Sequence, residues 1–129
     1  MAFTLKTVDD IPVIICEAYG TTSTPEDVNM LLDAVVAFKK ERGGCVYRLI
    51  DLTDLKAPFS DMMVSMGVEV GREGGSNDSD VITVFVATGD LYKLGAKSLQ
   101  EQAQYGQAPI KVFPTREEAL ASIREELKQ

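Results

Sequence analysis

The stretch Val46-Tyr47-Arg48-Leu49-Ile50-Asp51-Leu52-Thr53-Asp54-Leu55, followed by Pro58-Phe59-Ser60-Asp61 and an apolar run, decides the fold. A nearly unbroken apolar strand is what a central strand covered on both faces requires. Its passage through a proline, a serine and an acid into a helical repeat predicts a strand from Cys45 to Leu52. A helix is then expected from Ser60 through Met62, Met63, Met66 and Val70. In sheets of this kind, ligands and regulatory chemistry gather where strands end and helices begin.

Working outward, Phe3 to Val8 and Pro12 to Tyr19 read as two strands joined at the Asp9-Asp10 turn, hence an antiparallel pair. Thr24-Pro25-Glu26-Asp27 supplies an N-cap, a proline at the first helical position and acids in the first turn. The helix runs to Arg42, buries Val28, Leu31, Leu32, Val35 and Val36, and stops at Gly43-Gly44. Val81 to Ala87 is another apolar central strand, and Asp90 caps a helix carrying Leu91, Leu94 and Leu99. Ile110 to Phe113 is a short last strand, and Thr115-Arg116-Glu117-Glu118 opens the final helix with a capping-box pattern. The expected order is β-β-α-β-α-β-α-β-α. It builds a three-layer αβα sandwich around a five-stranded mixed sheet, with two helices on each face and residues 1–129 forming one domain.

Composition narrows the function. Apolar residues make up 45% and charged residues 26% of the chain, the balance of an ordinary globular protein. There is no histidine, which removes His-based hydrolase triads, His-ligated zinc and His phosphorelays. The net charge of −7 opposes sequence-independent binding to nucleic acid or to an anionic membrane surface. No apolar stretch approaches the ~20 residues of a membrane span, and no basic segment leads into an apolar run, so the expected compartment is the cytoplasm. Cys16 and Cys45 each lie in an apolar run without metal-ligand spacing and are expected to be buried thiols.

The plan resembles the anti-sigma-factor-antagonist-like (STAS) fold. The motifs are similar to those of the SpoIIAA-like group of small bacterial proteins, described as STAS/SEC14-related. They are Ile50-Asp51-Leu52-Thr53-Asp54-Leu55, Phe59-Ser60-Asp61, Glu101-Gln102-Ala103-Gln104-Tyr105-Gly106, and Val112-Phe113-Pro114-Thr115 with Glu117-Glu118-Ala119-Leu120. The resemblance covers most of the chain and is weakest at its amino-terminal end. It implies a non-enzymatic module that binds a protein partner around the third strand and second helix, with a kinase acting on a serine at that helix's start. Ser60 is the matching position. In that branch the serine follows an Asp-Ser pair and precedes Gly-Leu-Gly, whereas here Pro58-Phe59 precede it and Asp61-Met62-Met63 follow. The SEC14-like side of the resemblance implies instead a small apolar ligand or lipid.

The residues themselves nominate two regions. Ser60, Asp61, Asp54 and Phe59 form a candidate regulatory or partner-contact site, in which Ser60 reads first as a helix cap and Asp61 takes the place beside the helix amides that a phosphate on Ser60 would want. Phe59, Met62, Met63 and Met66 form a candidate apolar pocket or homodimer face, since flexible thioethers line adaptable surfaces; packing in the core is the plainer use of the same stripe. Asp51, Asp54 and Asp90 fall at the sheet's carboxyl edge, where acids can hold Mg²⁺, but Asp51 and Asp54 lack the spacing of a phosphatase motif and solvated strand ends are the simpler reading. No catalytic, metal or cofactor site is expected. The segment Gly71 to Asp80 is glycine-rich but closes a helix and precedes a strand, opposite to a phosphate cradle, so it is expected to be a mobile surface connection suited to a flap or partner contact.

Overall fold

The computed structural model describes residues 1–70, 72–75, 78–89 and 111–129. The predicted helix at Asp90, Leu91, Leu94 and Leu99, the Glu101 to Gly106 motif and Ile110 lie outside the described residues. Outside the description too are the side chains of Phe59, Met62, Met63, Met66 and Val70.

Five strands form one sheet in the order β1-β2-β3-β4-β5. Strands β1 (Ala2–Thr7) and β2 (Val13–Gly20) are antiparallel, as their short connection demands, with Leu5 opposite Cys16. Strands β3 (Val46–Leu55), β4 (Val81–Val86) and β5 (Lys111–Phe113) are successively parallel, with Ile14 opposite Arg48 and Arg48 opposite Thr83. Helices α1 (Pro25–Arg42) and α2 (Phe59–Val70) connect the parallel strands, and α3 (Arg116–Leu127) follows the last.

The period of two along the strands assigns residues to faces. Ile14, Cys16, Val46 and Ile50 pack under α1 with Val28, Leu31, Leu32, Val35 and Phe38. Val13, Ile15, Leu49, Val84 and Val86 pack under α3 with Ala119 and Ile123. Among the described residues, α1 and α2 therefore share one face and α3 covers the other, giving three layers. Burial of each large side chain contributes about 1.5–3 kcal/mol relative to exposure.

The helix ends follow the sequence closely. The Thr24 hydroxyl accepts the Asp27 amide at 3.2 Å and the Asp27 carboxylate accepts the Thr24 amide at 3.1 Å. Gly43 closes α1 at φ 74°, a left-handed conformation in which glycine is unstrained. At α3 the Thr115 hydroxyl accepts the Glu118 amide.

Three expectations change. Cys16 is buried, and burial pushes its thiol up to about 12, but Cys45 is exposed because it precedes the strand and not because of any site chemistry. Strand β3 continues to Leu55, so Thr53 and Asp54 belong to the strand that pairs with β2 and not to a loop. The described residues of the 71–80 segment are docked on α1. Asp78 accepts from Lys39 Nζ at 2.9 Å, the Gly74 amide at 2.8 Å and the Asp80 amide at 2.9 Å. Arg72 donates to the Asn29 carbonyl and side chain at 2.9 and 2.8 Å and to Asp33.

Candidate functional site

At the carboxyl edge of β2 and β3, four charged groups meet. Arg116, the first residue of α3, donates through Nη2 to Asp51 at 2.8 Å and to Glu17 at 2.9 Å, and its Nε reaches Asp51 at 3.2 Å. Lys6 completes the row at 2.9 Å from Glu17. Burial works to raise the Asp51 pKa, but hydrogen bonds from the Thr53 hydroxyl and amide and from Arg116 outweigh it and hold it below the ordinary carboxylate range. Glu17 is lowered by Lys6 first and Arg116 second. Asp51 is thus engaged on both oxygens as an internal clamp between the sheet and α3. Among the described residues no cluster of His, Cys, Asp or Glu has the arrangement of a metal site.

A folded-state pKa below the unfolded one contributes stability that is complete above the unfolded value and is lost as pH falls through the folded value. The Asp51 clamp therefore weakens below about pH 4. Asp51→Asn should be less stable than wild type at pH 7 and should lose less on acidification. Urea midpoints at pH 7 and pH 3 for both proteins check this, and parallel losses would show that Asp51 is not part of the acid transition.

Of the four residues nominated as a partner contact, the structure brings three to this edge with described surroundings. Asp54 and Ser60 are exposed. Ser60 is not the cap: α2 begins at Phe59, and the Pro58 carbonyl already accepts the Asp61 amide at 3.0 Å. Asp61 directs Oδ2 to the Ser23 amide at 3.0 Å, tying α2 to the segment that leads into α1. Phe59 starts the helix, and its side chain, like those of Met62, Met63 and Met66, is outside the description.

The inner side of α2 carries Val68, which packs against the core, and a row of polar residues beside it. Asp61, Ser65 and Glu69 recur at four-residue spacing, the repeat that puts side chains on one helix face. Ser65 Oγ lies 2.7 Å from Ser23 Oγ and donates to the Asp61 carbonyl. Glu69 accepts from Arg48 Nη1 at 2.8 Å, and Arg48 Nε donates to Thr83 Oγ1 at 2.7 Å. Arg48 is 0% exposed at the middle of the sheet, on the face it shares with Val46 and Ile50. Beside this pair lies a cavity of about 50 Å³. Val28, Leu31, Ile50, Leu52, Leu55 and Phe85 give it apolar walls, with Met1, and Ser23, Ser65 and Glu69 give it a polar end.

The Arg48–Glu69 pair escaped the sequence reading, although a signal was present. Arg48 is the one charged residue between Val46 and Ile50, and Glu69 the one between Met62 and Val70. An isolated cation in a buried strand and an isolated acid in an apolar helix that crosses over it are natural partners, because neither is tolerated in the interior alone.

No family model matches the chain, and no curated protein does. A solved structure that superposes on it is an uncharacterized protein of the DUF3478 family with a SpoIIAA-like fold, from Shewanella loihica PV-4. The TM-score is 0.57 over 93% of this chain and 90% of that one, at 16% identity. The chain has a SpoIIAA-like fold. The likeness extends to the five-stranded mixed sheet and its helices, which matches the expectation from the Val46 to Leu55 stretch and its flanks. Among the described residues of this SpoIIAA-like fold, no helix is long and apolar enough to cross a membrane.

Proposed function

We propose that the chain is a non-enzymatic, STAS-like interaction module that engages a protein partner at the carboxyl edge of β3 and the first turn of α2. The observation that supports this reading is the division of labour among the carboxyl-edge groups. Asp51, the acid that metal or phosphoryl chemistry would draw on, is held by Arg116 and Thr53, whereas Asp54 and Ser60 are left facing solvent. Ser60 in the first turn also puts its hydroxyl where the helix dipole favours added negative charge, by ~0.3–1 kcal/mol at an exposed site. Asp61 has Oδ2 bonded to Ser23 and so competes less for that place than its position in the sequence suggests.

The cavity beside Arg48 and Glu69, one formed among the described residues, does not carry the apolar-ligand or lipid alternative. A volume of about 50 Å³ accommodates a few water molecules and not an acyl chain.

The test is affinity capture from the native host with wild type, Ser60→Asp and Asp54→Lys as baits, each shown to be folded. The reading expects a host protein retained in near-stoichiometric amount by the wild type and reduced at least about tenfold by either substitution, about 1.4 kcal/mol of binding. If nothing is enriched over an unrelated acidic bait, or if both substitutions leave capture unchanged, the proposed surface is wrong.

A further inference from the structure

The two ends of the sheet are protected differently. At one end β5 is three residues long, too short to template a further strand. At the other end β1 runs for six residues in unbroken one-to-one register with β2, from Ala2 opposite Tyr19 to Thr7 opposite Ile14. It has no proline, no glycine and no bulge, the usual devices that keep a free edge from pairing. Its one charge, Lys6, reaches back across its own sheet to Glu17 at 2.9 Å. Among the described residues, no backbone hydrogen bond beyond those of its ladder with β2 involves Ala2–Thr7. Ala2, Thr4, Leu5, Lys6 and Thr7 are all exposed, Leu5 at 42%.

We infer that β1 is a strand-pairing surface whose occupant is a second copy of the chain. The two β1 strands run antiparallel about a two-fold axis normal to the sheet and join two five-stranded sheets into one. An edge strand leaves a row of amides and carbonyls pointing outward, and an antiparallel copy supplies the matching acceptors and donors. The side-chain pattern favours a copy over a strand of another protein. Phe3 and Leu5 stand opposite Ala18 and Cys16 on the α1 face, whereas Thr4 and Lys6 stand opposite Glu17 and Ile15 on the other. Because the axis keeps the faces matched, only registers that pair like faces are allowed. Pairing centred on Thr4 sets Leu5 opposite the copy's Phe3, and pairing centred on Leu5 sets it opposite the copy's Leu5. Both cover the exposed part of Leu5 with apolar surface that continues the Cys16 row, and neither puts Lys6 opposite Lys6. A six-residue edge buries little area, so the dimer is weak and concentration-dependent. Each chain offers one such edge, so assembly stops at two. With β2 between β1 and β3, this surface is separate from the proposed partner contact and does not rest on it.

Sedimentation velocity on the purified full chain between about 1 and 300 µM, where modest interfaces dissociate, tests it. The expected result is a monomer–dimer equilibrium whose Kd rises about tenfold or more in Leu5→Lys, because the new ammonium replaces the apolar pair at the axis. Met30→Lys, on the solvent side of α1 where Met30 is 61% exposed, should leave the Kd unchanged. Hydrogen exchange on the wild type gives a second readout: the outward amides of β1, alternate residues along the strand, should exchange more slowly as the concentration rises through the Kd. A wild type that stays monomeric over the whole range overturns the inference, as does a folded Leu5→Lys that dimerises as tightly as wild type. So does a dimer in which every β1 amide exchanges as fast as in the monomer, since copies then meet elsewhere. Should Leu5→Lys fail to fold, the exchange of the wild type decides alone. Protection of β1 at all concentrations in a monomer would place the chain's own residues on that edge and overturn the inference too. Because only pure protein is used, failure here leaves the host-capture result for Ser60 and Asp54 standing or falling separately.

Discussion

Replacing Glu69 with alanine is expected to remove about 3–5 kcal/mol of folding stability, the loss typical when one partner of a buried ion pair is deleted. The magnitude comes from what is left behind more than from the contact itself. Arg48 is 0% exposed at the centre of the sheet, so its guanidinium cannot turn to water when the carboxylate 2.8 Å away is gone. Among the described partners Thr83 continues to accept from Nε, and a neutral hydroxyl replaces little of what the carboxylate supplies to a buried positive charge. A urea midpoint lowered by roughly 2 M at unchanged slope is the measurable form of this loss. Replacing both partners, Arg48→Met with Glu69→Leu, should bring stability back to within about 1 kcal/mol of wild type or above it, because neither member of the pair then leaves the other's charge unbalanced. If Glu69→Ala alone costs less than about 1 kcal/mol, Arg48 is satisfied without it and the pair is not the anchor of α2.

Gly75→Ala should be nearly as damaging, at about 2–4 kcal/mol, the range of severe overpacking. A Cβ at residue 75 would stand 2.2 Å from the Glu69 carbonyl oxygen and 3.0 Å from that of Arg72. Both obstacles are backbone atoms, which cannot swing aside as a side chain does, so the chain leaving α2 must shift. That shift pulls on Arg72, which holds Asn29 and Asp33, and on the Gly74 amide, which holds Asp78. Gly44→Ala is the matched comparison, since its Cβ would meet nothing within 4 Å, and it should change stability by less than about 0.5 kcal/mol. Thermal or urea unfolding of the two variants side by side distinguishes a clash from a general intolerance of alanine, and equal losses would remove the argument.

These two expectations also mark where sequence and structure part. Strands and helices were legible wherever a single local rule governs them. The apolar run at Val46, the cap at Thr24 with Pro25, and the stop at Gly43 each appear as the residues announce. The limits of β3 and α2 were displaced because they depend on neighbours. Thr53 to Leu55 stay extended through pairing with β2, as in Tyr19 opposite Asp54, a partner far away in sequence. The docking of residues 72–75 and 78–80 was hidden for the same reason. Glycines and acids usually signal a solvated loop, but here Asp78 collects a lysine from α1 and two amides, and Gly74 sits against Leu32 and Val36.

The candidate site was legible in position and not in detail. Asp54 and Ser60 do lie at the sheet's carboxyl edge, as a strand-to-helix passage requires. Which acid there is engaged and which is exposed depended on Arg116, 65 residues from Asp51, and no local pattern couples the two.

The clamp made by Arg116 has a consequence for synthesis. Among the described residues, what covers the second face of the sheet, from Ala119 and Ile123 to the Arg116 bridge across Glu17 and Asp51, belongs to the last stretch of chain. While β1 through β4 emerge, Val13, Ile15, Leu49, Val84 and Val86 lack the α3 residues Ala119 and Ile123 that pack on them in the finished fold. Translating residues 111–127 takes about one to three seconds at ordinary elongation rates. For that interval the nascent protein is a half-dressed sheet, and its success rests on α3 arriving before a neighbouring chain does.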